Sequence, residues 1–260
     1  MTTCLSLPAG TSAFRLVDAL GAPEFGAQLI DFLGAAAGAV YCGAYRFGRG
    51  RFEVLSAAGS DGTDVARGNA ARYERERFWQ RDWALEAADT RTRQAAGAQL
   101  IRVDPAQIAD AEFREYFFSR PGIEEKLLFA GRRGADAYGV AVFRTGRRFS
   151  RAAIERLSGM AEFLVSCCAK HSEATRARRD AAELLSSPAG IDELLRRRHS
   201  GLSRREAQVC ARILSGLAVE AIAADLGIRP ESVATYRKRA FQRMRIGSRH
   251  ELLRELLASL

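Results

Sequence analysis

The stretch RPESVATYRKRAFQRM, residues 229–244, gathers side chains suited to one kind of chemistry. Five of its sixteen residues are Arg or Lys, and a single one, Glu231, is acidic. Guanidinium and ammonium groups donate hydrogen bonds to phosphate oxygens and to the O6 and N7 of guanine. Val233, Tyr236, Ala240 and Met244 recur at three- and four-residue spacing, which predicts a helix with one apolar side. On that helix Ala234, Thr235, Arg237, Lys238, Arg239 and Arg243 face outward or flank the outward side. Small side chains at 234 and 235 let the helix start approach base edges, and Lys238, one turn on, reaches a guanine. Arg237, Arg239 and Arg243 lie where phosphate contacts would flank a groove.

No comparable set supports catalysis. His171, His199 and His250 are the only histidines, and neither a metal-ligand spacing, a nucleophile elbow nor a phosphate-cradling glycine loop is present. The expectation is a non-enzyme without cofactor or metal. Cys4, Cys42, Cys167, Cys168 and Cys210 include no C-x-x-C pair, which suits a reducing, cytoplasmic setting. They read as small buried apolar residues.

Charge points the same way as the basic helix. The chain of 260 residues carries a formal net charge of +9. Residues 175–260 hold 17 Lys and Arg against 10 Asp and Glu, whereas residues 1–174 hold 23 against 21. An anionic polymer is the expected partner of the C-terminal third. No run of 18 uncharged apolar residues and no N-terminal signal pattern suggests a membrane.

The elements that must position these residues fall into two groups. Residues 23–37 predict an amphipathic helix. Residues 39–47 and 51–58 predict a β-hairpin turned at Gly48-Arg49-Gly50, and 123–133 and 135–145 a second one about Gly134. Helices are expected at 62–88, at 105–117 and from Ser150 to about 180. The last has an apolar stripe at Ile154, Leu157, Met160, Ala161, Leu164, Val165 and Cys168, read as a dimer contact. The polar segment 175–200, broken at Ser186-Ser187-Pro188-Ala189-Gly190, reads as a linker. Beyond it, Ser203 and Glu206 form a capping box, Gly216 and Gly227 end two short helices, and Pro230 opens the basic one. Ser248 and Glu251 cap a last helix with Leu252, Leu253, Leu256 and Leu257 inward. Four short helices, the middle pair joined by a tight turn, make a helix-turn-helix plan.

Residues 202–257 resemble the LuxR-type helix-turn-helix domain. The match runs through Leu202-Ser203-x-x-Glu206, Gly216, Ile222-Ala223, Leu226-Gly227-Ile228, Ser232-Val233, Tyr236 and Arg249-x-Glu251-Leu252. Arg229 stands where the family usually has a capping Ser, Tyr236 where it often has His, Ala240 where Ile is common and Arg245 where Gly is common. The resemblance implies that Ala234, Thr235 and Lys238 read bases. The N-terminal layout resembles the ligand-binding domains of quorum-sensing regulators, whose pocket motif is Trp, then Tyr four residues later, then Asp nine residues on, usually followed by Pro. Asn69, Tyr73, Asp82 and Trp83 occupy those places here, so Tyr and Asp fit and the other two do not. That resemblance implies a pocket in which Asp82 accepts a ligand amide N–H and Tyr73 donates to a carbonyl, with Tyr41, Tyr45, Phe78, Trp79 and Trp83 as further pocket candidates. The ligand would be an acyl-homoserine lactone or another small molecule. The competing reading has Asp82 capping a helix or pairing with Arg77 or Arg81, and the aromatics as core.

The expected fold is therefore an α+β N-terminal α-β-α sensory sandwich (residues 1–174), a linker (175–200) and an all-α four-helix domain (201–260). The expected function is a dimeric transcription regulator reading an inverted repeat in double-stranded DNA, working with RNA polymerase and tuned by a small-molecule effector. A phosphorylated receiver domain would need clustered acidic residues at strand ends, which residues 1–120 lack. A sigma-factor-like promoter reader is the alternative. It requires an all-helical N-terminal region, against which the two hairpins argue.

Overall fold

The computed structural model describes residues 13–257; Cys4 lies outside them. The chain forms two compact units, Met1–Thr175 and Arg176–Leu260. In the first, α1 (Ala13–Asp18) and α2 (Phe25–Ala37) precede the hairpin β1 (Tyr41–Gly48) and β2 (Arg51–Gly59). Then come α3 (Val65–Arg75), a 3-10 turn Phe78–Gln80, α4 (Trp83–Gln94) and β3 (Gln99–Val103). A second 3-10 turn, Pro105–Gln107, leads to α5 (Ala111–Arg114), which runs into a π turn, Glu115–Ser119. The hairpin β4 (Ile123–Arg133) and β5 (Asp136–Thr145) is followed by α6 (Arg151–Gly159) and α7 (Ala161–Leu185).

The five strands form one antiparallel sheet in the order β2-β1-β5-β4-β3. Alternation along the strands sends side chains into two cores. Cys42 and Ala44 of β1, Leu127 and Phe129 of β4, and Val140 and Val142 of β5 pack under α1, α2, α6 and α7. Tyr41 and Phe47, Leu128 and Ala130, and Ala137 and Ala141 pack under α3, α4, α5 and the π turn. This is an α-β-α sandwich, and its sheet sets aside the all-helical N-terminal region that a sigma factor needs.

Three expected helices are broken. The one expected over 62–88 is interrupted where Arg77 takes a left-handed φ of 57° and Asp82 caps a new helix. The one expected over 105–117 is two short turns and α5. The long one from Ser150 stops at Gly159, and α7 restarts at Ala161. The stripe expected as a dimer contact is spent elsewhere: Leu157, Ala161, Leu164, Val165 and Cys168 are buried against the sheet, with Ile154 and Met160 packed beside them. β3 had no expectation.

In the second unit, the segment read as linker is largely helical, through the end of α7 and α8 (Pro188–Arg198). Ile191, Leu194 and Leu195 of α8 share a core with α9 (Arg204–Leu214), α11 (Pro230–Met244) and α12 (Arg249–Leu257). Between α9 and α11 lies α10 (Val219–Leu226). Leu252 and Leu256 are buried as expected, but Leu253 is 42% and Leu257 55% exposed, so α12 buries a narrower face than its four leucines suggest. Among the described residues no helix is long and apolar enough to cross a membrane.

Candidate functional sites: a reading helix and an aromatic cavity

The helix-turn-helix is set by its caps. Ser203 Oγ accepts from the Glu206 N–H and Glu206 Oε2 accepts from the Ser203 N–H at 2.8 Å, which starts α9. Gly227 ends α10 at φ 63°, a conformation that costs a side-chain-bearing residue energy. Pro230 follows in the first turn of α11, where its missing N–H removes no bond. Arg229 precedes it as a cap without a side-chain hydrogen bond. Val233 then docks with Val209, Ile222, Ala223 and Leu226, while Tyr236 packs at that cluster's edge. Ala240, Phe241 and Met244 continue into the core with α8, α9 and α12.

That seating leaves Ala234, Thr235, Arg237, Lys238, Arg239, Gln242 and Arg243 exposed. Thr235 donates its hydroxyl to the Glu231 carbonyl at 3.0 Å, which leaves its methyl as the outward group. Lys238 and Arg239 have no ion pair among the described residues. Two of the expected phosphate contacts are engaged within the domain. Arg243 donates to the Gly201 carbonyl at 2.7 Å and to Glu206 Oε2 at 2.8 Å. Arg237 lies 5.2 Å from the centre of the Phe241 ring, a cation–π distance. Gln242 is an exposed neighbour that sequence reasoning passed over. Its place one turn after Lys238 was the available signal.

The N-terminal unit holds a second site, a cavity of about 60 Å³ between the sheet and α3, α5 and the π turn. Tyr41, Tyr45 and Tyr73 line it, and so does Asn69. Gly43 makes room for Tyr45 to lean along its own strand, since a Cβ there would fall 2.1 Å from the Tyr45 hydroxyl. Tyr41 donates to Asp61 at 2.6 Å; burial and then that carboxylate push its phenol up to about 12. Burial likewise raises the Tyr45 and Tyr73 phenols.

The other expected pocket residues stand behind or outside this wall. Phe78 is buried edge-on against Phe117, Trp79 stacks on Phe52, and Trp83 is 43% exposed. Asp82 is buried and committed to the protein: Oδ1 accepts from the Ala84 N–H at 2.9 Å, and Oδ2 from Tyr73 Oη at 2.9 Å and Lys126 Nζ at 2.8 Å. Burial alone would raise its carboxyl, but the Lys126 charge and the three donors outweigh that and hold it below the usual range. Asp82 therefore caps α4, and its charge partner is Lys126 rather than Arg77 or Arg81. Arg81 pairs with Asp110 and Glu112 instead.

Lys126 is the residue that sequence reasoning missed. It is 6% exposed and lines the cavity. A register shift between Ile123 and Glu125 turns both Ile123 and Lys126 to the cavity side of β4. The signal was its identity: 40 basic residues include only three lysines, and this one directly precedes the apolar run Leu127-Leu128-Phe129-Ala130. The four described cysteines are buried and free, and burial pushes the Cys42 and Cys210 thiols up to about 12 and that of Cys167 to about 11. Protonated, buried thiols are poor nucleophiles, which fits their reading as small apolar core residues.

Comparison with known proteins agrees with the C-terminal geometry. Residues 200–256 match the model of the bacterial regulatory proteins, luxR family. The chain is 30% identical over 160 residues to an Aeromonas salmonicida protein described as an HTH-type transcriptional regulator in the exeN 3' region, covering 55% of this chain and 77% of that one. It is 44% identical over 61 residues to the transcriptional regulatory protein FixJ of Azorhizobium caulinodans, covering 24% of this chain and 29% of that one. Among solved structures, the ligand-binding domain of VqsR from Pseudomonas aeruginosa aligns with a TM-score of 0.46 at 16% identity, over 62% of this chain and 94% of that one. The chain thus belongs to the luxR family of bacterial regulatory proteins.

Proposed function

We propose that this transcriptional regulator binds an inverted-repeat operator as a homodimer, with residues 201–260 reading DNA and residues 1–174 sensing a small molecule. The observation that carries the DNA reading is the outward side of α11. Methyl groups at Ala234 and Thr235, an ion-pair-free Lys238 and an ion-pair-free Arg239 stand together over a buried apolar row. The two methyls suit contact with thymine C5-methyl groups, and Lys238 suits guanine O6 or N7. Arg239 would hold phosphate, and Arg243 would position α11 against α9. A second subunit would place a second α11 in a successive major groove.

Bound effector would shift the population competent for DNA, and the regulator would act with RNA polymerase in the cytoplasm. The aromatic cavity, rather than any metal or nucleophile, supports the sensing role. Genome-wide footprinting with the intact chain tests the whole reading: discrete protected sites with two-fold symmetric sequences are expected. Sedimentation as a monomer at micromolar concentration, with and without such a site, would remove the dimer.

A further inference from the structure

The carboxylate expected to accept a ligand's amide N–H is largely taken up by the protein. Both Asp82 oxygens already accept from the protein. Tyr41 donates to Asp61 and Tyr73 to Asp82, so neither phenol proton faces a ligand. Donors remain. An ammonium has three N–H bonds, and Lys126 uses one, on Asp82. Among the described residues the Tyr45 hydroxyl has no hydrogen-bond partner, and both groups line the cavity. Lys126 is 6% exposed, so its spare donors are held out of bulk water, where an unmet donor is costly.

The remaining wall is aromatic and aliphatic: Phe113, Phe117, Phe118, Phe143, Ile123 and Pro121. Its volume of about 60 Å³ is the room of roughly two waters and is below the ~150 Å³ of a cavity that takes up benzene, so an occupant buried whole is small and not a long chain.

Resting on the sensing role proposed above, we propose that this cavity binds a small, mainly apolar molecule headed by an oxygen acceptor, a carboxylate or a carbonyl, that takes its hydrogen bonds from Lys126 and Tyr45. The Asp82 charge is already shared among Lys126, Tyr73 and the N-terminus of α4, so the ammonium keeps donors for a second oxygen. Asp82 keeps only about one of its four lone-pair sites for a ligand donor, whereas the Lys126 ammonium keeps two N–H bonds for an acceptor.

The test is thermal denaturation and calorimetry of the intact chain with four probes: benzoate, acetophenone, benzylamine and N-octanoyl homoserine lactone. Benzoate or acetophenone is expected to raise Tm saturably, by about 5–10 °C at roughly 100 times Kd, and which of the two is stronger identifies the head as charged or neutral. Benzylamine is expected to give no shift, and the lactone a weaker one. Lys126→Met alone strands a buried carboxylate, so the decisive variant is Lys126→Met with Asp82→Asn, checked for folding by circular dichroism. It is expected to lose the benzoate and acetophenone shifts.

An equal shift with benzylamine, a stronger one with the lactone, silence from both acceptor probes, or an unchanged shift in the folded double variant would overturn the assignment. Footprinting on DNA is read separately. Its failure would end the regulator reading, while its success with silent acceptor probes would end only this one.

Discussion

Arg243 decides between two accounts of the basic helix. By sequence it belongs with the phosphate contacts; in the fold it donates to the Gly201 carbonyl and to Glu206 Oε2. The Glu206 side chain is 3% exposed and also caps α9 through Ser203. Arg243→Ala would leave that carboxylate buried with fewer donors. A hydrogen bond to a charged group contributes about 1.5–3 kcal/mol, and the half-exposed guanidinium places this one toward the lower end. The expected loss is therefore about 1.5–2 kcal/mol in urea unfolding of the C-terminal unit. Glu206→Gln in the same background should show coupling of at least ~0.5 kcal/mol in a double-mutant cycle. In the same variant the salt dependence of DNA binding should barely change, whereas Arg239→Ala should lower its slope by ~1. If Arg243→Ala leaves stability intact and lowers the slope by ~1, the arginine serves phosphate and the buttress argument is wrong.

Three further outcomes follow from the geometry. Arg245 ends α11 at a left-handed φ of 56°, so Arg245→Gly should stabilise the C-terminal unit by about 0.5–1 kcal/mol in chemical denaturation. Leu195 of α8 is fully buried with the helix-turn-helix core, and Leu195→Ala should cost about 2–5 kcal/mol; a cost below ~0.5 kcal/mol would return 188–198 to the status of linker. The Asp82 carboxyl is held below its ordinary value in the fold, so its contribution is present above the unfolded pKa of about 4 and lost as pH falls through the lower folded value. Urea unfolding should accordingly show wild type ahead of Asp82→Asn at pH 7 and the gap narrowing below about pH 4.

What sequence made legible was whatever repeats locally. Ser203 and Glu206 stand three residues apart, Gly227 and Pro230 bracket a turn, and Val233, Ala240 and Met244 share one side of a helix; each bonds or packs with near neighbours. The two hairpins were legible for the same reason. What stayed hidden depends on partners far along the chain. Lys126 meets Asp82 across 44 residues, and nothing near either position announces the pair. Arg243 was indistinguishable from Arg239 until the fold brought Glu206, 37 residues away, beside one of them. The stripe on α6 and α7 was visible, but only the sheet beneath it says that it is core rather than interface. Polarity hid α8, because three inward residues, Ile191, Leu194 and Leu195, suffice to dock a helix whose other face is charged.

The central claim is that the outward side of α11 chooses DNA sequence, and a single comparison tests it. Binding of the intact chain to a footprinted site, and to that site with each base pair changed in turn, is measured for wild type and Lys238→Ala. The account predicts a loss of about 1–3 kcal/mol on the wild-type site, with discrimination relaxed at one base pair of each half-site and kept at the others. Unchanged affinity, or a uniform loss that leaves every base preference intact, would contradict it.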